Sequence, residues 1–209
     1  TANKGFAGVA ADKSDTEKAV VLAGIAATLW SHKITPVFDN LAALAFFKSR
    51  RPQARAGFFV TNAGGIEAAA AVHAGADFLV GLEYLKPETV AELRKTFPDA
   101  VIINVLSKAD GDVMALAEET IKAGADGVQL KPMSEFVEGA QFEQAGETLT
   151  NLQAQYPQLM IVGAGGIFGE KFANVLKMGV LPAVGFPSPE SVPVEAAKYR
   201  AAADQTHDV

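Results

Sequence analysis

The sequence predicts an α/β fold in which a single domain, residues 1–209, forms a (β/α)8 TIM barrel. Short apolar runs alternate with amphipathic stretches at a spacing of about 25 residues, and eight such strand–helix pairs follow one another with no linker between them. Strands that alternate with helices form parallel sheets, and eight repeats favour a closed barrel. An open flavodoxin-like or Rossmann sheet is the less favoured alternative, because no Gly-x-Gly-x-x-Gly follows the first strand.

The strands are predicted from apolar runs that end at polar or turn-forming residues. Glycine caps at Gly75 and Gly124 separate a helix from the next strand, within the repeated motif Ala-Gly-Ala-Asp. Pro132 ends the sixth strand, because proline cannot donate a ladder hydrogen bond. The predicted strands cover residues 6–11, 35–38, 56–61, 78–82, 101–106, 127–131, 159–163 and 183–185.

The helices carry start and stop signals. Ser14 and Glu17 have the spacing of a capping box before the first helix, Pro52 closes the second, and Pro87 lies in the first turn of the fourth. The predicted helices cover residues 16–32, 41–50, 65–74, 87–96, 110–122, 146–155, 169–178 and 194–203. A longer acidic loop over residues 133–145 follows the sixth strand, and whether it covers the mouth of the barrel stays open.

Composition and charge exclude several classes of protein. A hydrophobic content of 49% and a charged content of 20% are ordinary for a globular domain. No apolar run approaches the roughly 18 residues of a membrane span, and the segment from Thr1 to Lys4 is too short and polar for a secretory signal. The absence of cysteine removes disulfides and thiolate chemistry. With a net charge of −6 and no basic run, a nucleic-acid surface is not expected, so we expect a cytoplasmic enzyme.

The segment from Ala123 to Pro132 carries the strongest functional signal. In a strand, residues two apart share a face, so Gln129 and Lys131 point the same way, opposite Val128 and Leu130. A polar face in an apolar chain requires water or a function, because an unpaired buried ammonium is costly. Lys131 is therefore a candidate catalytic residue; the alternative is a lysine that emerges into solvent at the end of a strand.

Charged side chains gather where the predicted strands end, which is the functional face of a barrel. Asp39 follows the second strand, and a lysine follows each of four others. Lysines around one rim of an acidic protein create a positive field suited to a small anionic substrate, unless they are only solvated loop residues. These lysines are Lys13, Lys86, Lys108 and Lys131.

Glycines after the last two strands predict a phosphate site. Gly165 and Gly166 follow the seventh strand, Gly185 ends the eighth and Ser188 follows it. Glycine lets the backbone approach an oxyanion, and amides at the start of a helix favour negative charge. The alternative is a tight turn without a ligand.

No metal site is predicted. The three histidines are isolated along the chain, and the acidic loop is typical of a solvated segment. The functions considered below require no cofactor.

Four motifs carry a resemblance over roughly Ile34 to Gly185. They are Thr35-Pro36-Val37-Phe38-Asp39, Ala74-Gly75-Ala76-Asp77-Phe78-Leu79-Val80, Ala123 to Pro132, and Gly163-Ala164-Gly165-Gly166-Ile167. Through them the chain resembles the 2-keto-3-deoxy-6-phosphogluconate (KDPG) / 4-hydroxy-2-oxoglutarate aldolase family of class I aldolases. The resemblance implies an eightfold barrel, commonly a trimer. It also implies cleavage of phospho-keto sugars or 4-hydroxy-2-oxo acids to pyruvate and an aldehyde, through a lysine Schiff base and a general acid/base glutamate.

The chain departs from the family pattern at the pyruvate end of the site. Gln129 occupies the position of the Schiff-base lysine, and an amide cannot form the imine. Asp39 stands where the family has its glutamate, and Asn40 leads into the next helix without the expected arginine. Phe58 matches a carboxylate-binding threonine, and Ala164 replaces a threonine in the glycine motif. The phosphate end is retained better.

Three functions stay open. The first is a lyase that cleaves a phosphorylated or carboxylated 2-keto compound, with Lys131 as nucleophile and Asp39 moving protons. The second is a barrel enzyme without a Schiff base, such as a sugar-phosphate isomerase or epimerase, and the third is a catalytically silent relative that binds a phosphorylated metabolite or a protein partner. Gln129, Lys108 and Lys13 are candidate substrate-binding residues, and a homo-oligomer, by resemblance a trimer, is expected.

Overall fold

The structure is a computed structural model that describes residues 14–138, 144–186 and 188–207. The predicted first strand, residues 6–11, lies outside this range. So does Lys13. No helix in the described part of the chain is both long and apolar enough to cross a membrane.

Among the described residues, seven parallel strands form one curled sheet, and eight helices accompany it. The sheet order is β1-β2-β3-β4-β5-β8-β9, so that each strand lies beside the next parallel strand along the chain. Two short antiparallel strands, β6 and β7, form a separate hairpin. The strands are β1 Val37–Phe38, β2 Gly57–Val60, β3 Phe78–Gly81, β4 Val101–Leu106, β5 Gly127–Leu130, β6 Val137–Glu138, β7 Gln144–Ala145, β8 Met160–Ala164 and β9 Leu181–Ala183.

The helices follow the predicted positions closely, and their caps explain why. The Ser14 hydroxyl accepts from the Glu17 N–H at 3.4 Å while the Glu17 carboxylate accepts from the Ser14 N–H at 2.9 Å, which confirms the capping box. The Asn40 side chain caps the second helix by accepting from the Ala43 N–H at 2.8 Å. The helices are α1 Asp15–Ser31, α2 Leu41–Arg50, α3 Gly65–His73, α4 Pro87–Thr96, α5 Val113–Lys122, α6 Glu147–Gln155, α7 Glu170–Lys177 and α8 Val192–His207.

Two predicted segments differ from the structure. The last strand covers Leu181–Ala183 instead of residues 183–185, because Pro182 is accommodated within a strand. Proline lacks the N–H that a ladder uses, so a strand across it was not expected. The acidic loop contains a short 3-10 turn, Met133–Glu135, followed by the β6–β7 hairpin.

The repeated Ala-Gly-Ala-Asp motif forms the same contact twice at the amino ends of the strands. Gly75 and Gly124 both have a left-handed backbone, with φ of 96° and 105°. The Asp77 carboxylate accepts from the Ala56 N–H just before β2, at 2.8 Å, and the Asp126 carboxylate accepts from the Ile102 N–H of β4 at 2.8 Å. Each aspartate therefore ties a helix-to-strand turn to the neighbouring strand.

Alternation along the strands separates two faces. Ile102, Asn104 and Leu106 of β4 are fully buried beneath the helices, whereas Val101 and Ile103 face the inside of the curl. Asn104 is a buried amide with every polar contact satisfied. Its side chain accepts from the Leu85 N–H at 2.7 Å and donates to the Leu85 carbonyl and the Thr120 hydroxyl, each at 2.9 Å.

We expect Asn104→Ala to lower the free energy of unfolding by about 3 kcal/mol, because it leaves the buried Leu85 backbone groups without partners. Urea denaturation measures the change. Asn151→Ala, on the exposed face of α6, is the matched control, expected to stay within about 0.5 kcal/mol of the parent. Equal effects of the two substitutions would show that Asn104 does not hold the loop after β3.

Candidate functional site

The inside of the curled sheet encloses a cavity of about 550 Å³. Its walls are mostly apolar side chains from alternate positions of the strands, together with residues of α1, α7 and α8. Its charged lining residues are Lys33, Asp39, Arg55 and Arg200. An apolar cavity with a few polar groups is the usual form of a small-molecule site.

Gln129 lies in the wall of this cavity. It is only 8% exposed, while Val128 and Leu130 on either side are fully buried against the helix layer. The alternation predicted for this strand is therefore confirmed for these three residues. The Gln129 side chain makes no hydrogen bond with the described residues, and its polar atoms are not fully buried, since Arg200 Nε is the one described buried side-chain polar atom without a partner. A ligand group that donates or accepts a hydrogen bond would satisfy it.

Lys131 lies one step beyond the end of β5, at the carboxyl rim. Its N–H donates to the Leu106 carbonyl at 3.1 Å, which continues the ladder, and the peptide bond to Pro132 is cis. The side chain is half-buried and runs beside the glycine segment: a Cβ built on Gly165 would lie 4.0 Å from Lys131 Cγ. Lys131 is not among the cavity-lining residues. Its stem therefore neighbours the predicted phosphate loop.

Asp39 shares the cavity with Gln129. It follows β1 directly and is exposed, and the next residue, Asn40, caps α2. The carboxylate therefore stands where the strand ends, which is the position the sequence predicted for an acid/base group. A carboxylate in reach of water can exchange protons with a bound ligand.

The glycine segment after β8 exposes its backbone. Gly165 and Gly166 are both left-handed, with φ of 82° and 76°. A Cβ built on Gly166 would meet nothing within 4 Å, so the Cα of Gly166 faces open space, while one on Gly165 would lie 3.3 Å from Pro132. The segment leads into α7. Consecutive left-handed peptides ahead of a helix are compatible with the predicted approach of an oxyanion.

The remaining predicted residues are more scattered. Gly185 is half-buried just beyond β9. The Ser188 hydroxyl is used locally, because it accepts from the Ser191 N–H at 3.3 Å in a reciprocal cap of a short 3-10 turn. Lys108 is exposed, with Nζ 5.5 Å from the centre of the Phe136 ring, and it lines a separate cavity of about 230 Å³ beside the β6–β7 hairpin.

Sequence reasoning missed three cations that line the large cavity. Lys33 and Arg55 lie just before β1 and β2, and Arg200 lies on α8. Lys33 has a left-handed backbone, with φ of 58°. A positive φ is uncommon for residues other than glycine, so the sequence does not predict this conformation. No group of three or more potential metal ligands occurs within residues 14–138, 144–186 and 188–207.

No protein-family model and no curated protein matches the chain by sequence. Solved structures do match it. Native KDPGal aligns with a TM-score of 0.67 and 15% identity, covering 92% of this chain and 91% of that one. A 4-hydroxy-2-oxoglutarate aldolase/2-deydro-3-deoxyphosphogluconate aldolase aligns with a TM-score of 0.63 and 22% identity, covering 87% of each chain.

A third match, 3-hexulose-6-phosphate synthase, has a TM-score of 0.63 and 20% identity, covering 88% of this chain and 94% of that one. At these identities the likeness shows a shared fold. The α/β architecture with its curled parallel sheet is therefore confirmed, while the predicted first strand, residues 6–11, falls outside the described residues.

A pair of glutamine substitutions tests whether Gln129 is kept for binding. We expect Gln129→Leu to change the free energy of unfolding by no more than about 0.5 kcal/mol, because the amide makes no hydrogen bond with the described residues and faces the cavity. Gln153→Leu is the matched control. It should lower the free energy by about 1 kcal/mol, since the Gln153 amide donates to the Met178 carbonyl at 2.5 Å. Equal losses in urea denaturation would make the Gln129 amide structural.

Proposed function

We propose that the chain is an aldolase-like lyase that cleaves a phosphorylated or carboxylated 2-keto compound to pyruvate and an aldehyde. The observation that carries the proposal is the packing of the Lys131 stem beside Gly165 at the carboxyl rim. This contact puts an amine-bearing side chain next to a backbone suited to an anion. The names of two structural neighbours support the same substrate class. One is a 4-hydroxy-2-oxoglutarate aldolase/2-deydro-3-deoxyphosphogluconate aldolase, and the other is KDPGal, whose name agrees with the KDPG aldolase resemblance.

The proposed reaction uses Lys131 and Asp39. The Lys131 amine adds to the 2-keto carbon and water leaves, which gives an imine. Asp39 accepts the proton of the 4-hydroxyl, through water, as the bond between C3 and C4 breaks. The electron pair of the C3–C4 bond moves into the imine to give an enamine, and the aldehyde departs. Protonation of the enamine carbon and hydrolysis of the imine then release pyruvate and restore the amine.

In this proposal the other predicted residues bind substrate. Gln129 supplies a hydrogen bond inside the cavity, and the amides near Gly165, Gly166, Gly185 and Ser188 hold a phosphate. Lys13 and Lys108 contribute to the positive rim. No metal and no cofactor takes part, and the substrate is a small anion, with no role for nucleic acid or a membrane. We propose a homo-oligomer, a trimer as the resemblance implies, that works in the cytoplasm.

A second candidate is a barrel protein without a Schiff base, either a sugar-phosphate isomerase or epimerase or a catalytically silent binder of a phosphorylated metabolite. The placement of Gln129 in the cavity wall favours it, because the amide cannot form an imine and Lys131 is not among the lining residues. In this alternative Asp39 serves as the base, and Lys131 attracts the anion without reacting with it.

We also propose that the sheet closes into a complete eight-stranded barrel, with residues 6–11 between β1 and β9. Each of these two strands pairs with a single strand among the described residues. The space between them is lined by apolar side chains of α1 and α8. The small, apolar sequence Phe-Ala-Gly-Val-Ala-Ala at residues 6–11 suits a parallel strand that is buried on both faces.

Reductive trapping separates the two candidate functions. After incubation with pyruvate and borohydride, we expect intact mass spectrometry to show one adduct, on a peptide that contains Lys131. Lys131→Met should abolish the adduct, whereas Lys108→Met, the matched control at another rim lysine, should leave it in place. Absence of any adduct in the unmodified protein, together with saturable binding of a sugar phosphate, would contradict the lyase and favour the second candidate.

A further inference from the structure

Three consecutive helices lack charged side chains over most of their length. Helix α1 has no Asp, Glu, Lys or Arg over residues 19–31, and neither residues 41–47 of α2 nor residues 68–72 of α3 carry a charge. A helix that is apolar all round is usually buried all round. These helices pack side by side with α2 in the middle, yet each leaves one side open to solvent.

The open sides of the three helices together form one apolar surface, which we call the α1–α3 face. Val20 on α1 is 46% exposed, Phe46 on α2 is 37% exposed and Ile66 on α3 is 88% exposed. Small residues fill the space between these side chains and allow a second helix to approach closely. The face consists of Val20, Gly24, Ala42, Ala45, Phe46 and Ile66. An exposed apolar patch of several helices is typical of an interaction site.

The open sides of the next two helices have the opposite character. They carry exposed side chains of both charges, as a surface in contact with water usually does. These side chains are Glu88, Glu92 and Lys95 on α4, and Glu118, Glu119 and Lys122 on α5. The apolar character of the α1–α3 face is therefore specific to one side of the molecule.

The end of the α1–α3 face at the carboxyl rim is acidic. The helices begin at this end, and the first turns of α1 and α3 carry three exposed carboxylates, those of Asp15, Glu17 and Glu67. Lys18 lies 3.7 Å from the Asp15 carboxylate, so this end keeps a net negative charge.

The opposite end of the α1–α3 face is basic. Arg50 and Arg51 lie at the end of α2, and both are exposed. The Arg50 guanidinium stacks on the ring of Phe46, with Cζ 5.2 Å from the ring centre, so this cation lies at the edge of the apolar patch. Neither arginine forms an ion pair within the described part of the chain.

We propose that the α1–α3 face is a contact between two copies of this chain, related by a two-fold axis that runs across the helices. Such a rotation reverses the direction of the helices, so each helix faces its own counterpart in antiparallel orientation. The acidic end of one copy then meets the basic end of the other at both edges of the contact. A two-fold axis parallel to the helices would instead bring like charges together, which costs free energy.

The size of the α1–α3 face agrees with this occupant. Helix α1 has 17 residues and α2 has 10. At a rise of about 1.5 Å per residue and a helix spacing of about 10 Å, the face covers on the order of 600 Å². A standard interface takes about 800 Å² from each partner. Any other partner would need its own matching acidic and basic ends, whereas a second copy supplies them by symmetry.

This contact goes beyond the homo-oligomer proposed above, because it assigns a face and a symmetry. A trimer is built from head-to-tail contacts, which use other surfaces, so the two arrangements can coexist. The two-fold contact alone gives a dimer, and together with a trimer it gives a hexamer.

Native mass spectrometry with sedimentation velocity tests the contact. We expect the unmodified protein to contain two chains, or six if the trimer also forms. Ala45→Lys places a charge on the central helix of the face, once from each copy, and should raise the dissociation constant of the contact about 100-fold, which halves the mass of the particle. Ala91→Lys is the matched control, because Ala91 is exposed on α4. It should leave the mass unchanged.

Mixing two charge-reversed variants tests the antiparallel orientation. Arg50→Glu and Glu67→Arg should each weaken the contact about tenfold, because each brings like charges together at the edges. An equimolar mixture should restore it as a heterodimer, since the opposite charges then match again. A mixture that yields no heterodimer overturns the proposed axis.

The possible failures are distinguishable. A single chain in the unmodified protein overturns this contact together with the homo-oligomer, whereas three chains overturn this contact and leave the trimer standing. An even number of chains that Ala45→Lys does not change overturns the assignment to the α1–α3 face. Circular dichroism verifies that each variant folds, and Ala42→Lys on the same face replaces Ala45→Lys if that variant does not.

Discussion

The central strands of this sheet are buried along almost their whole length, and that constraint decides where polar side chains can lie. Strands β3, β4 and β5 have helices on one face and the cavity on the other. Among the described residues, the buried polar side chains are Asn104, Thr120 and Gln129. Asn104 and Thr120 form a hydrogen bond with each other beneath the helices. Of these three buried side chains, Gln129 is therefore the one that faces the cavity. Most of the other polar side chains near the sheet lie at the two ends of the strands.

The two ends differ in character. At the amino ends, Asp77, Asp126 and the side chains that cross from one helix to the next turn are saturated with hydrogen bonds, as befits a structural face. At the carboxyl ends, Gly166 and Asp39 are exposed. In barrels of this kind, ligands bind at the carboxyl ends of the strands. This contrast supports the proposal that the ligand binds at the carboxyl rim.

The sequence predicted the repeating architecture because the spacing of the apolar runs agreed with the helix start and stop signals. The capping box at Ser14 and the glycine turns at Gly75 and Gly124 depend only on neighbouring residues, so they can be identified from the sequence. It did not predict Lys33 in a left-handed turn, since that conformation is uncommon for residues other than glycine and lysine is not a residue that favours it. Nor did it predict that Pro182 lies inside a strand. For the site, alternation placed Gln129 correctly. The contact between Lys131 and Gly165 joins segments that are distant in sequence, so only the structure reveals it.

The central claim is that an anion and a carbonyl group are held together at the carboxyl rim, beside Lys131 and Gly165. A crystal structure of the protein soaked with a phosphorylated 2-keto acid tests this most directly. We expect the phosphate at the Gly165 and Gly166 amides, with the keto carbon directed toward Lys131 and the Gln129 amide. A phosphate bound instead at the amino ends of the strands, near Lys33 and Arg55, would contradict the account.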